Sequence, residues 1–317
     1  MIDRIIEIAL PSRLSVRNAQ LIIAVEGKEP VSTPVSEIAV LMLAHPQVVL
    51  SQAVLSRVAE AGGLVVSIDD KFLPCSMLLP LQSHSLQTER LAKQASIGLP
   101  LRKQLWRQIV VAKIRTQGSL LKELYGDDEG LLAMAMKVRS GDPENLEAQA
   151  ARRYWQTVFN DAKFRRGSEG PDQNQFLNYG YIILRAAVAR AICATGLHPS
   201  LGLRHKNRYD AFCLAADLME PFRVLVDRRV VEWCWDHNPS ERLDSVAKQW
   251  LLQILADRYD LNGEQRTLFD ILSHSANSLA RCMIGEENTL NLPGFVGVHV
   301  KRTAFMSDTL IRKANVG

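Results

Sequence analysis

Apolar residues early in the chain come in short runs rather than at helical spacing. The stretches RIIEIAL (4–10), LSVRNAQLIIAVEG (14–27) and GGLVVSI (62–68) are rich in β-branched residues and separated by Pro, Gly, Asn and Ser, which predicts strands. One helix interrupts them. SQAVLSRVAEAGG (51–63) has apolar residues at helical spacing, Ser51 placed to cap its start and glycines at its end. After FLPCSMLLPLQSHS (72–85) the period lengthens, and segments such as PLRKQLWRQIVVAKIRTQGSLLKELYG (100–126) are helical in pattern. The pattern predicts an α+β chain of two domains, with a small β-rich part over 1–80 and a larger all-α part over 81–317.

Three helices of the second part carry the polar residues of interest. The first is predicted within SGDPENLEAQAARRYWQTVFND (140–161), where Asp142 can cap, Pro143 suits the first helical position and Glu144 suits the positive end of the dipole, so Glu147 falls about one turn in. The second spans QNQFLNYGYIILRAAVARAICATG (173–196), closing at Gly196 with Leu197 placed for a C-terminal apolar contact. The third begins near Asp210 and reaches Pro221, where a proline must kink the helix or open a new one. No repeat or low-complexity tract is visible.

A length of 317 residues with 47% hydrophobic composition supports a sizeable core and fits two domains. No run of about 18 uncharged apolar residues occurs, and the start MIDRIIEIALPSR carries acids and no small-residue cleavage site, so a cytoplasmic protein without a membrane span is expected. The five cysteines (Cys75, Cys193, Cys213, Cys234, Cys282) are widely spaced, which suits reduced core residues, and no CxxC pair suggests zinc. P-loop, GxSxG, HExxH and dinucleotide fingerprints are absent, which removes several common enzyme classes. Net charge is only +4, but the stretch from Arg90 to Lys122 holds eight basic residues, with the acids Glu89 and Glu123 only at its flanks. Such a density suits either a phosphate backbone or a solvated helix face.

The stretch HKNRYDAFCLAADLMEPFR (205–223) places Asp217 and Glu220 three residues apart in an apolar run. On a helix such a pair lies on one face, about 5–6 Å apart at Cβ, and repels itself unless something positive sits between. A metal ion would serve; so would ordinary pairing, with Asp217 matched to Arg223 or another base and Glu220 at a helix start beside Pro221. The basic neighbours Arg204, Lys206 and Arg208 are expected to lower the pKa of His205, favouring the neutral imidazole that a metal needs, and can also hold phosphate. A helical Glu, a His and a carboxylate suit Mg²⁺ or Mn²⁺. Tyr154 and Trp155 read as core aromatics at helical spacing, or as a stacking surface. Arg165 and Arg166, in the glycine-rich KFRRGSEGPDQNQ (163–175), either grip phosphate or solvate a loop.

The segments LEAQAARRYW, DQNQFLNYGYIILRAAVARAICATGLHPSLGLRH and LAADLMEPFRVLVDRRV, in that order, resemble the CRISPR-associated spacer-acquisition integrase, the endonuclease subunit common to CRISPR adaptation systems. The strand-rich start and SIDDKFLPCSMLLPL (67–81) are similar to the short form that accompanies type II systems. The resemblance implies metal ligands at Glu147, His205 and Glu220, with Asp217 supporting the site from behind. Ala148 stands where the family often has glycine, and it is a good helix former. The resemblance further implies a β-domain that pairs subunits into a homodimer, a catalytic helical domain and a small companion adaptation protein. Double-stranded DNA is the implied substrate, and type II forms also work with the system's effector nuclease. Its implied chemistry is transesterification, in which a 3′-hydroxyl of a DNA fragment attacks a phosphodiester at a repeat edge. Arg165, Arg166, Arg204, Lys206 and Arg208 are the candidates for holding the DNA. Two rivals stand beside this reading: a generic metal-dependent phosphohydrolase, and a DNA-binding scaffold in which the acids are structural.

Overall fold

The computed structural model describes residues 4–68, 74–78, 84–167, 172–240, 243–255, 257–261 and 264–293. Residues 69–73 of SIDDKFLPCSMLLPL, the expected domain boundary at 80 and residues 168–171 of KFRRGSEGPDQNQ lie outside the described residues. The chain packs into two units that divide near residue 81.

The first unit runs β1 (Arg4–Ile8), β2 (Ser12–Arg17), β3 (Gln20–Val25), β4 (Val31–Pro34), β5 (Ile38–Leu43), β6 (Val49–Leu50), α1 (Gln52–Glu60), β7 (Leu64–Ile68) and β8 (Pro74–Leu78). One sheet has the order β1-β5-β7-β8, parallel except for β8; the other is β4-β3-β2-β6, with β6 parallel to β2. The β2–β3 hairpin closes on Asn18 and Ala19, both at positive φ (51° and 57°), the conformation whose twist matches the flanking strands. In β5 all but the last residue of IAVLML is buried, because a central parallel strand is covered on both faces and so shows no alternation. Val54 and Val58 of α1, one turn apart, join Ile8, Leu14, Leu21, Ile38, Leu41 and Val65 in one core. Ser51 holds the expected N-cap position, but its side chain makes no capping hydrogen bond.

The second unit contains α2 (Gln87–Ser96), α3 (Leu99–Tyr125), α4 (Leu131–Ala135), α5 (Leu146–Thr157), α6 (Gln173–Ala194), α7 (Cys213–Leu218), α8 (Arg223–Asp236), α9 (Ser245–Leu252), β9 (Arg258–Leu261), β10 (Glu264–Thr267) and α10 (Leu268–Ile284). Among the described residues it is helical apart from the antiparallel β9–β10 hairpin, a departure from the all-α expectation. Its central element is α6, which packs on α7, α8, α9 and α10. This helix is long and apolar enough to cross a membrane, yet 72% of its apolar window is buried inside the unit. Its apolarity is that of a core helix. Asp172 caps its start by accepting from the Asn174 N–H, and at its end, as the pattern predicts, Gly196 (φ 75°) closes the helix while Leu197 is buried. At Gly180 a Cβ would stand 2.4 Å from Val226 Cγ1, so α6 and α8 reach their crossing distance only because no side chain is there.

Candidate metal centre

The helix carrying Glu147 starts three residues later than its composition suggests. Asp142 and Asn145 both adopt left-handed backbone (φ 49° and 54°), which holds Pro143 and Glu144 ahead of the helix proper. Asp142 still performs a cap's task from outside, its carboxylate accepting from the Leu146 N–H (2.8 Å) and the Glu147 N–H (3.0 Å). Glu147 therefore lies in the first turn of α5, its backbone fixed by a neighbouring carboxylate.

His205 sits in the irregular stretch between α6 and α7, and buried polar side chains of α2 anchor that stretch. Arg90 donates to the Thr195 carbonyl (2.7 Å), while Gln94 donates to the carbonyls of His198 and Leu201 and accepts from the His198 N–H. Asp217, on α7 and fully buried, collects the other side. Its Oδ2 accepts from the Leu203 N–H (2.6 Å) and the Arg204 N–H (3.0 Å), and its Oδ1 from the His205 N–H (3.2 Å) and from His205 Nδ1 (2.6 Å). Only glycine fits at 202, where a Cβ would meet the His205 carbonyl at 2.5 Å and Asp217 Oδ2 at 2.9 Å. Trp106 of α3 presents edge to face against the imidazole, at 6.1 Å between centroids. The hydrogen bond that His205 donates to Asp217 holds the His205 pKa above its ordinary value, against burial and with help from the Asp217, Glu220 and Glu147 charges. The lowering expected from Arg204, Lys206 and Arg208 does not occur, because a buried carboxylate in contact outweighs exposed cations screened by water.

Glu220 lies in a single 3₁₀ turn (Glu220–Phe222) between α7 and α8, where Pro221 opens the new helix rather than kinking the old one. The positive charge beside it is Lys113, from the middle of α3. Its Nζ is 2.6 Å from Glu147 Oε1 and 2.7 Å from Glu220 Oε2, so two carboxylates from separate elements converge on one cation. Arg223 takes the other oxygen of Glu220, with Nη2 at 3.0 Å from Oε1. Burial alone would raise the Glu220 pKa, but Lys113 and Arg223 together hold it below its ordinary value. Burial would likewise lower Lys113, and the two carboxylates reverse that. The pairing of Arg223 with Asp217 considered from sequence is replaced by pairing with Glu220, because the N–H groups around Asp217 already fill it.

The donor chemistry fits a hard divalent cation. Glu220 Oε2 is buried without a well-directed hydrogen bond, facing a bare ammonium, and Glu147 shares that ammonium. A divalent ion at this point would replace one positive charge with two and take up the unsatisfied lone pair. Among the described residues no three His, Cys, Asp or Glu side chains converge as a complete metal site, so His205 is not drawn into contact with the carboxylate pair. With Nδ1 donating to Asp217, its remaining lone pair is on Nε2.

The structure does not bring the remaining predicted residues together. Arg165 donates to the Ala162 and Phe164 carbonyls, and Arg166 to Asn174 Oδ1 (2.7 Å) and Asn178 Oδ1 (2.9 Å) while lying over the Trp155 and Tyr181 rings. Arg204, Lys206 and Arg208 are exposed, and Arg208 covers the exposed Tyr209 ring. The basic run from Arg90 to Lys122 is not one stripe: Arg90 is buried on Thr195, Arg107 donates to the Val138 carbonyl, and Lys113 belongs to the site. Sequence reasoning missed Lys113 as a site residue. Its one signal in the sequence is a lysine set within the apolar run Ile109–Ile114 of a long helix.

Comparison with known proteins matches residues 8–241 to a family profile described as CRISPR associated protein Cas1. A relative from Neisseria meningitidis, named CRISPR-associated endonuclease Cas1, is 38% identical over 77% of this chain and 80% of its own length. Among solved structures, a casposase bound to integration product superposes with a TM-score of 0.70 at 19% identity, covering 97% of this chain and 98% of that one. A Cas6-RT-Cas1–Cas2 complex superposes at 0.66 and 19% identity, covering 93% of this chain and 36% of that chain. The two structures share the fold, and the profile and the relative, each reaching across most of the sequence, show that the chain belongs to the Cas1 family.

Proposed function

We propose that this protein is a metal-dependent DNA endonuclease and integrase of CRISPR adaptation, which joins a DNA fragment to a CRISPR array through the fragment's 3′-hydroxyl. The observation that carries the proposal is the convergence of Glu147 and Glu220 on one cation beside the Asp217-oriented His205. Support comes from the Neisseria relative, named an endonuclease, and from the casposase neighbour, whose structure is bound to integration product. Glu147, Glu220 and His205 Nε2 would hold Mg²⁺ or Mn²⁺, which when bound lowers the pKa of a coordinated oxygen and offsets charge on the phosphoryl group.

The chain's own contribution is position and charge. Asp217 fixes the imidazole through Nδ1–H, so Nε2 is the nitrogen presented. Arg204, Lys206 and Arg208, exposed beside His205, would align the phosphodiester, with Arg165 and Arg166 as further candidates. In the reaction the attacking 3′-oxygen forms a new phosphorus–oxygen bond while another 3′-oxygen leaves, so one phosphodiester replaces another; water in place of the hydroxyl gives cleavage. Double-stranded DNA, a second copy of the chain through the β-rich unit and a small companion such as the Cas2 named in the neighbouring complex are the proposed partners. Nothing in the comparisons bears on the type II effector nuclease expected from the resemblance.

The test incubates the protein with branched and 3′-overhanging DNA plus Mn²⁺, in wild type and in Glu147→Ala, His205→Ala and Glu220→Ala. Loss of strand transfer with DNA binding retained is expected. Unchanged transfer in all three variants would remove the site assignment, and turnover of small phosphoesters without cutting or joining of DNA would favour the phosphohydrolase.

A further inference from the structure

We infer that Arg223 is a positioning residue, held by a buried Tyr154–Asp227–Tyr181 cluster, which locks Glu220 so that a single carboxylate oxygen, Oε2, faces the cation. The inference rests on the metal reading above.

Glu220 follows α7 and precedes Arg223 by three residues, so nothing in its own one-turn element fixes its side chain. Arg223 does so by two contacts at once. Its Nη2 reaches Glu220 Oε1, and its guanidinium lies 4.5 Å from the centroid of the Tyr181 ring. With Oε1 engaged, Oε2 is the oxygen left beside Lys113, buried and lacking a well-directed hydrogen bond. A planar guanidinium can stack and donate together; an ammonium cannot.

The surface on which Arg223 stacks is itself fixed from three helices. Tyr181 of α6 donates to Asp227 Oδ1, and Tyr154 of α5 donates to Asp227 Oδ2 at 2.7 Å. Asp227 stands one turn after Arg223 on α8, and all three members are buried. Tyr154 lies seven residues after Glu147, on the same face of α5. Gly180, next to Tyr181, allows the close crossing with Val226, next to Asp227, that lets the pair meet. The cluster thus ties the helix bearing Glu147 to the helix opened by Glu220. A buried carboxylate is costly unless hydrogen-bonded, and the proposed chemistry has no use for this one. Holding the Arg223 platform supplies a reason for its presence.

The test uses the full chain and reads Mn²⁺ binding by calorimetry, with unfolding temperature and DNA binding measured in EDTA. Arg223→Lys keeps the charge and removes the fork; Tyr181→Phe keeps the ring and removes the hydroxyl. Arg223→Lys is expected to weaken Mn²⁺ binding by about tenfold or more, the scale seen when a partner behind a metal ligand is lost. DNA affinity in EDTA should stay within about twofold for both variants, and the double variant should bind Mn²⁺ no more weakly than Arg223→Lys alone, since both act through one path. Should Arg223→Lys not fold, Tyr181→Phe carries the test alone. Wild-type Mn²⁺ affinity in the folded variants, or fully additive losses, would overturn the inference while leaving the metal reading intact. Absence of Mn²⁺ binding by the wild type would overturn both.

Discussion

Lys113 shows what one residue does at this centre. Its ammonium stands where two carboxylates meet, so in the metal-free protein it is the charge that makes burying Glu220 tolerable. Replacing it with methionine breaks a largely buried ion cluster, and Lys113→Met should destabilise the metal-free protein by about 3 kcal/mol, part of which Mn²⁺ restores. Thermal unfolding in EDTA and in Mn²⁺ checks this; equal stability of variant and wild type in EDTA would refute it. Asp227 gives a pH signature. Burial pushes its pKa up to about 6, against the hydrogen bonds from Tyr181 and Tyr154. An acid whose folded value is raised contributes stability below its unfolded value, near 3.9, that is lost as pH rises through about 6. Asp227→Asn lacks that titration, so its stability relative to wild type should improve between pH 4 and pH 7 by up to about 3 kcal/mol, about two units at 1.36 kcal/mol each. Urea unfolding at the two pH values measures it, and a pH-independent difference would count against a raised value. His205, Asp217 and Glu220 stood out in the sequence because acids and a histidine in an apolar run need explaining. Lys113 did not, because the charge that makes it meaningful arrives from α5 and from beyond α7.

Elements set the distances on which those residues depend. The α6–α8 crossing at Gly180 and Val226 places Tyr181 beside Asp227. Gly180→Ala adds a methyl 2.4 Å from Val226 Cγ1, and overpacking of this kind costs about 1–3 kcal/mol. Adding Val226→Ala to Gly180→Ala should recover part of that loss, because it clears the atom the new methyl meets. Denaturant midpoints of the two variants decide it; a double variant less stable than Gly180→Ala would show that the contact is not the limiting one. The extents of α1 and α6 were readable because the apolar period and the glycines after each helix agree. The start of α5 was not: DPENL has the composition of a helix start, but the left-handed Asp142 and Asn145 delay the helix and leave Asp142 to cap from outside. The β9–β10 hairpin escaped the pattern because its strands are four residues each, too short to establish a period against the helices around them.

Across the whole molecule the net charge of +4 says little, and the placement of cations says more. Arg204, Lys206 and Arg208 are exposed, whereas Arg166 is bound to Asn174 and Asn178 over two aromatic rings. If the first three hold phosphates, each alanine substitution should flatten the dependence of log affinity on log salt by about one unit. Arg166→Ala should instead lower the unfolding temperature. Fluorescence anisotropy with labelled DNA over a salt series distinguishes the two, and an unchanged slope for all three exposed residues would take them out of the DNA interface. By itself the sequence determined the features that local pattern can encode: a strand-rich start, helices with readable caps, a change of period near residue 80, and a family resemblance carried by three motifs. Tertiary structure alone decided which charges meet. Lys113 joins Glu147 to Glu220, Arg223 turns from Asp217 to Glu220, and the basic run from Arg90 to Lys122 scatters into separate uses. The physical reason is range: periodicity and capping act over a few residues, whereas ion pairing and burial act between helices whose separation in sequence carries no trace of their contact.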